Sequence, residues 1–175
     1  MVVIAVVGSK KSGKTTTIEA LTRELSERGH RVAAVKHVSE SDFTIDTRGK
    51  DTWRFAQAGA RTIISVSRGE IATIERTDTM NIPIDEILQR CRDSGAIFLE
   101  GFKRIVAKNR QVFKIIVAKS ADEALEATKD FEPILCFTGP YSTRSLNLKA
   151  PYVDVLENPA GIVDLIERII AREHS

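Results

Sequence analysis

The chain has 175 residues, 42% of them hydrophobic and 29% charged, and a net charge of +2. That length suits one domain with a sizeable core, and the near-neutral balance excludes a nucleic-acid-type polycation. No run approaches the length of a membrane span, Met1-Val2-Val3 lacks a basic leader segment, and Cys91 and Cys136 stand isolated among apolar residues. These features predict a cytoplasmic protein with reduced, buried thiols, no membrane association, and no disulfide or zinc framework.

Val2-Val3-Ile4-Ala5-Val6-Val7 is an apolar, β-branched run that reads as a buried strand. Gly8-Ser9-Lys10-Lys11-Ser12-Gly13-Lys14-Thr15 follows and fits G-x-x-x-x-G-K-[ST], the phosphate-binding P-loop. Ile18, Leu21 and Leu25 then recur at helical spacing, and Gly29 is a stop signal. Strand, glycine loop and helix are the context this motif requires. The glycines let backbone N–H groups face a phosphate, and the helix N-terminus adds partial positive charge. Lys14 is expected to reach the β- and γ-phosphates, and the Thr15 hydroxyl to ligate Mg²⁺. The bland alternative is a Gly/Ser/Lys loop that merely caps a helix.

A second strand is predicted over residues 31–35, ending at Lys36-His37, followed by a polar loop over 39–49 that contains Asp42 and Asp46. Residues 50–60 suggest a short helix with Trp53, Ala56, Gln57 and Ala60 along one side. Residues 61–66 and 70–75 flank Arg68-Gly69 and read as an antiparallel hairpin. Pro83 opens a helix whose Ile84, Ile87, Leu88 and Cys91 share one face. Ala96-Ile97-Phe98-Leu99 reads as a buried strand ending in Glu100-Gly101. Beyond a basic loop over 103–110 come a strand at 112–117, a helix opened by a Ser120/Glu123 capping box, and a strand at 133–137. Asn158 and Pro159 cap a last helix with Ile162, Leu165, Ile166, Ile169 and Ile170 on its apolar face. The alternation predicts a single α/β domain over 1–175: a three-layer P-loop nucleotide-binding domain, its sheet mostly parallel, with an inserted β-hairpin.

Ligands of open α/β sheets bind outside the carboxyl ends of the strands. Reading those ends adds Glu100, a carboxylate where a second Mg²⁺ anchor belongs, directly or through water. Glu is one methylene longer than the usual Asp, so polarising a nucleophile is an alternative role, and a solvated Glu past a strand is the structural one. Asp46 lies where nucleotide-binding proteins place a mobile switch; it reads equally as a turn-forming Asp. His37 either meets phosphate or terminates its strand. Lys10, Lys11, Lys36, Arg48, Lys50, Lys103, Arg104, Lys108 and Arg110 are expected around these strand ends, giving a positive mouth for a polyanionic small molecule. Aromatic interleaving is missing, so nucleic acid is not the expected partner. Base choice stays open. The guanine-reading N-K-x-D is absent; Ala118-Lys119-Ser120-Ala121-Asp122 only approaches it, and Thr138-Gly139-Pro140 is placed to border a base.

GSKKSGKTT at 8–16, Val35-Lys36-His37, Asp46 followed by Gly49-Lys50-Asp51-Thr52, Ala58-Gly59-Ala60 and Leu99-Glu100-Gly101-Phe102-Lys103 together resemble the molybdopterin-guanine dinucleotide biosynthesis protein B (MobB) family. The resemblance is dense over 1–103 and weaker over 104–175. It implies a cytoplasmic GTP-binding protein with slow Mg²⁺-dependent GTPase activity, usually a homodimer. Such a protein assists guanine-nucleotide attachment to molybdopterin beside a separate molybdopterin guanylyltransferase and molybdopterin-carrying proteins. Carried over by matching residues, Gly8, Ser9, Lys10, Lys11, Ser12, Gly13, Lys14, Thr15 and Thr16 hold the nucleotide. Thr15, Glu100 and Asp46 serve the metal, and Lys14, Glu100 and Asp46 the chemistry. Ser9 departs from a related dimeric ATPase class that places an extra lysine there. The alternative class is an ATP-dependent small-molecule kinase, or a ligase resembling dethiobiotin synthetase, which also places Glu-Gly after a buried strand.

Overall fold

The computed structural model describes residues 1–40, 42–79 and 82–173. They form two compact units, Met1–His37 with Ile87–Ser175, and Val38–Glu86.

In the first unit a five-stranded parallel sheet runs in the order β2-β5-β1-β6-β7. Its strands are β1 (Val2–Gly8), β2 (Val32–Lys36), β5 (Ala96–Glu100), β6 (Val112–Val117) and β7 (Ile134–Thr138). The most apolar strand is the central one, as burial on both faces requires: Val2 to Val7 are all buried. Val6 lies opposite Glu100 of β5 and Ile115 of β6, so the carboxyl ends of all three strands converge.

Helices α1 (Lys14–Glu27) and α6 (Pro159–Glu173) cover one face. The core there combines Val2, Ile4, Val6, Phe98 and Ile115 with Ile18, Leu21 and Leu25 of α1 and Ile162, Val163 and Ile166 of α6. A fully buried Leu or Ile side chain contributes roughly 1.5–3 kcal/mol, so these stripes suffice to seat both helices. Arg28 ties α1 to α6 through Asp164 at 2.7 Å and Glu167 at 2.8 Å. Asn158 caps α6 by accepting from Gly161 N at 2.9 Å. Helix α5 (Ala121–Asp130) lies over the other face, where Ala127 and Phe131 line a cavity with Val7 and Ile116. Ser120 caps it by accepting from Glu123 N at 3.2 Å. The reciprocal half of the box is displaced by one residue, because the Glu123 carboxylate takes Lys119 N at 2.9 Å.

Three expectations need correcting. The basic loop contains a short helix, α4 (Lys103–Val106), anchored by the buried Val106 and Phe102. Lys108 and Arg110 precede β6 and therefore sit at the amino end of the sheet; Lys108 Nζ donates to Lys129 O at 2.7 Å, away from the strand carboxyl ends. Cys136 is buried as expected, but Cys91 is only half-buried.

In the second unit, α2 (Asp51–Gln57) precedes a separate two-stranded antiparallel sheet of β3 (Thr62–Val66) and β4 (Ile71–Glu75). Ile63 is buried, whereas Ile64, Val66 and Ile71 are exposed. The register pairs Val66 with Ile71 and Ile64 with Thr73, so these apolar side chains share one face of the hairpin. Helix α3 (Ile84–Gln89) spans the boundary between the units. Among the described residues no helix is long and apolar enough to cross a membrane.

Candidate functional site

The P-loop connects the central strand β1 to α1. Gly8 is required for a steric reason. A Cβ there would lie 2.4 Å from Ser12 Oγ and 2.5 Å from Val117 O, so any side chain would break the loop's contact with β6. Lys11 has φ +59 and Gly13 φ +101, the left-handed backbone that curls a loop around a central space. Lys14 Nζ donates to Ser9 O at 2.7 Å, so its ammonium folds back over the loop. The Ser12 hydroxyl is buried and has no hydrogen-bond partner among the described residues. An orphaned hydroxyl beside an inward-folded ammonium fits a site completed by phosphate oxygens.

Burial lowers the Lys14 pKa, and the nearby charges of Lys103, Lys36 and Lys119 lower it further; the Glu100 carboxylate opposes them. Four lysines thus converge on the loop. Of the cations read from the sequence, Lys36 and Lys103 belong to this group. Lys119 joins them; the sequence marks it only within the near-match to N-K-x-D. Its Nζ donates to Lys10 O at 3.3 Å and lies 3.9 Å from Glu123, strapping the P-loop to the end of β6. The available signal was its place two residues past a buried strand.

Glu100 ends β5 beside the P-loop. Its two carboxylate oxygens accept from Thr15 Oγ1 at 3.2 and 3.1 Å, and Lys36 Nζ lies 3.8 Å away. Mg²⁺ takes oxygen ligands at roughly 2.1 Å in an octahedron. Two neighbouring vertices of such an octahedron are about 3 Å apart, so a hydroxyl and a carboxylate oxygen 3.1 Å apart fit. His37 makes structural contacts at its strand end. Its N–H donates to Glu100 O at 2.9 Å and its ring packs edge-on against Phe102 with centroids 5.4 Å apart, holding the end of β2 beside that of β5.

Asp46, Arg48 and Lys50 belong to the second unit. Asp46 Oδ1 accepts from Thr47 N and from Thr52 Oγ1, both at 2.8 Å, so this carboxylate organises the turn leading into α2. Its Oδ2 is buried and has no hydrogen-bond partner among the described residues. The Thr52 contact gives part of the G-K-D-T segment a local structural role.

A protein of Methanocaldococcus jannaschii is 37% identical over 124 residues, 70% of this chain and 49% of that protein. The molybdopterin-guanine dinucleotide biosynthesis adapter protein of Haemophilus influenzae is 32% identical over 103 residues, 58% of this chain and 57% of that one. The chain thus spans only about half the length of these relatives. In fold it is similar to a crystal structure of molybdopterin-guanine biosynthesis protein B, with a TM-score of 0.71 at 23% identity over 97% of this chain and 99% of that one. The Bacillus subtilis MobB structure gives 0.70 at 23% identity over 95% and 97%. Residues 3–135, which carry the P-loop, the Lys36-His37 strand end and Glu100, match the family model for molybdopterin guanine dinucleotide synthesis protein B, and the chain belongs to that family, MobB.

Proposed function

We propose that this chain is a GTP-binding adapter of molybdopterin guanine dinucleotide synthesis, with slow Mg²⁺-dependent GTPase activity. It works beside a molybdopterin guanylyltransferase and molybdopterin-carrying proteins in the cytoplasm. One observation carries the reading: in a MobB-family chain, Thr15 and Glu100 meet 3.1 Å apart at the rim of a P-loop on which four lysines converge. The H. influenzae relative is described as an adapter in this synthesis, which supports the same role.

The P-loop amides and the N-terminus of α1 bind the phosphates, and Lys14 exchanges the Ser9 carbonyl for phosphate oxygen. Lys36 and Lys103 add positive charge that attracts and orients the polyanion. Thr15 and Glu100 are the proposed holders of Mg²⁺, which when bound neutralises charge building on the phosphates. The resemblance also implies Asp46 as a metal-side carboxylate.

The P-loop itself, residues 8–16, carries lysines and no arginine. An arginine finger accelerates phosphoryl transfer by roughly 10³–10⁵, so intrinsic hydrolysis is expected to be slow. Single-turnover GTP hydrolysis tests this, with and without the guanylyltransferase and its molybdopterin substrate. Slow turnover that responds to the additions is expected. Fast turnover by the protein alone, indifferent to both, would favour the self-sufficient ATP-dependent enzyme class instead.

The reading also includes a homodimer. Ile64, Val66 and Ile71 form an exposed apolar face on a two-stranded sheet, and such sheets are normally covered.

A further inference from the structure

The N-K-x-D signature that reads guanine in many GTPases is missing here, yet a cavity adjoins the P-loop on the side of β7. It measures about 310 Å³, the lower end of the range for small-molecule sites, and lies wholly within the first unit. Lys11, Ser12 and Gly13 of the P-loop, Thr16 and Thr17 of α1 and Gly139-Pro140 of the loop after β7 contribute to its wall. Val117 and residues 154–156 complete the wall, and Asp154 supplies its one carboxylate.

Asp154 is rigidly placed. Phe137 N donates to Pro151 O at 2.8 Å and Val153 N to Phe137 O at 2.9 Å, so residues 151–153 run alongside β7. Thr138 Oγ1 accepts from Val155 N at 3.1 Å, and Tyr152 Oη donates to Gly139 O at 2.8 Å. Hydrogen bonds therefore fix the backbone on both sides of Asp154. Gly139 has φ +106, and a Cβ there would lie 2.9 Å from Ala118 O, so this point of the wall admits no side chain. Asp154 Oδ1 accepts from Leu156 N at 2.9 Å and Glu157 N at 3.4 Å; Oδ2 carries no hydrogen bond among the described residues.

A carboxylate offers about four lone-pair sites and no donor. The Watson–Crick edge of guanine presents two adjacent donors, N1–H and the 2-amino group. That of adenine presents an acceptor at N1, which a carboxylate repels. Resting on the GTP reading above, we propose that this cavity receives the base of the nucleotide held by the P-loop, and that Asp154 selects guanine by accepting from N1–H and the 2-amino group. Lys119 straps the P-loop to the end of β6, while the proposed reading carboxylate comes from the segment after β7.

Asp154→Asn tests this, because it retains an oxygen for Leu156 N while placing an amide donor on the other arm. Xanthine carries an oxygen where guanine carries the 2-amino group, so the variant should accept XTP. Binding of GTP, ATP, XTP and inorganic tripolyphosphate is measured with Mg²⁺ for the wild type and the variant. GTP affinity should fall, and XTP affinity rise, by roughly ten- to hundredfold each, with tripolyphosphate binding unchanged. Unchanged GTP preference in the variant overturns the proposal. So does loss of GTP without gain of XTP. Loss of all ligands also overturns it, making Asp154 a scaffold of the loop. A wild type that binds tripolyphosphate but does not prefer GTP to ATP defeats the GTP reading itself; wild-type GTP preference that survives Asp154→Asn defeats only the assignment of Asp154.

Discussion

Thr15 Oγ1 donates toward both carboxylate oxygens of Glu100, at 3.1 and 3.2 Å, joining the first turn of α1 to the end of β5. The two residues are 85 positions apart in sequence. They meet because β1 and β5 are neighbouring parallel strands whose carboxyl ends are level, Val6 lying opposite Glu100. Glu100→Gln keeps the shape and removes the charge. It should weaken the Mg²⁺ dependence of GTP binding and turnover by roughly tenfold or more, while nucleotide binding in EDTA changes little. Mg²⁺ titration of binding checks this, and an unchanged titration removes Glu100 from the metal site.

Lys14 is the second test of the site. Its ammonium is bonded to the Ser9 carbonyl and crowded by three other lysines. A triphosphate relieves that crowding, so the gain on binding exceeds that of a solvated lysine. Lys14→Ala should lower triphosphate affinity by about two orders of magnitude, or roughly 3 kcal/mol. Lys14→Arg should not restore it, because a planar guanidinium does not fit where a compact ammonium folds onto Ser9 O. Calorimetric titration of both variants decides; wild-type affinity in either would end the P-loop assignment.

The parts of this architecture readable from sequence are those written by local pattern. The apolar run of β1, the stripe of Ile18, Leu21 and Leu25, and the glycines of the loop each state their own conformation. Glu100 was legible because a buried strand must end at the ligand edge of such a sheet. Lys119 and Asp154 were not, since their roles depend on which strands become neighbours, and no short window encodes the placement of β6 and β7 beside β1. The amino-end position of Lys108 and Arg110 was missed for the same reason: α4 carries the chain from one end of the sheet toward the other. Asp46 shows the converse. Its turn role is local, and Thr47 and Thr52 fulfil it.

Lys114 makes a pH-dependent contribution to stability. It lies opposite Ala5 in the sheet, fully buried, and its Nζ donates to Asn109 O at 2.6 Å and Val112 O at 2.7 Å, with Glu132 O as a third acceptor. Burial pushes its pKa down to about 8 from an ordinary 10.5, against the pull of Glu132. Between these values the unfolded chain binds more protons than the folded one, so this group makes stability rise with pH through that window. Urea unfolding of the wild type and Lys114→Met from pH 7 to 10 should show this slope only in the wild type. Lys114→Met removes three hydrogen bonds to backbone carbonyls, so it should also be less stable at pH 7, by roughly 2–4 kcal/mol. Parallel slopes in the two proteins would refute the lowered pKa.

The hairpin supplies the last prediction. Ile64 is 60% exposed, Val66 72% and Ile71 71%, and the register sets them on one face, while Ile63 points to the opposite, buried side. An isolated two-stranded sheet is marginal in water, and an apolar face left open adds an aggregation hazard, so a second copy covering that face would solve both problems. Ile64→Lys with Val66→Lys puts charge on the exposed face without touching Ile63. Away from an interface, such surface changes stay within about 0.5 kcal/mol per site, so each chain should remain folded. The wild type should sediment as a dimer at micromolar concentration and the double variant as a monomer, with unaltered far-ultraviolet dichroism. If both sediment as dimers, the contact lies elsewhere; if both are monomers, the chain does not dimerise at that concentration, and the open face has another occupant.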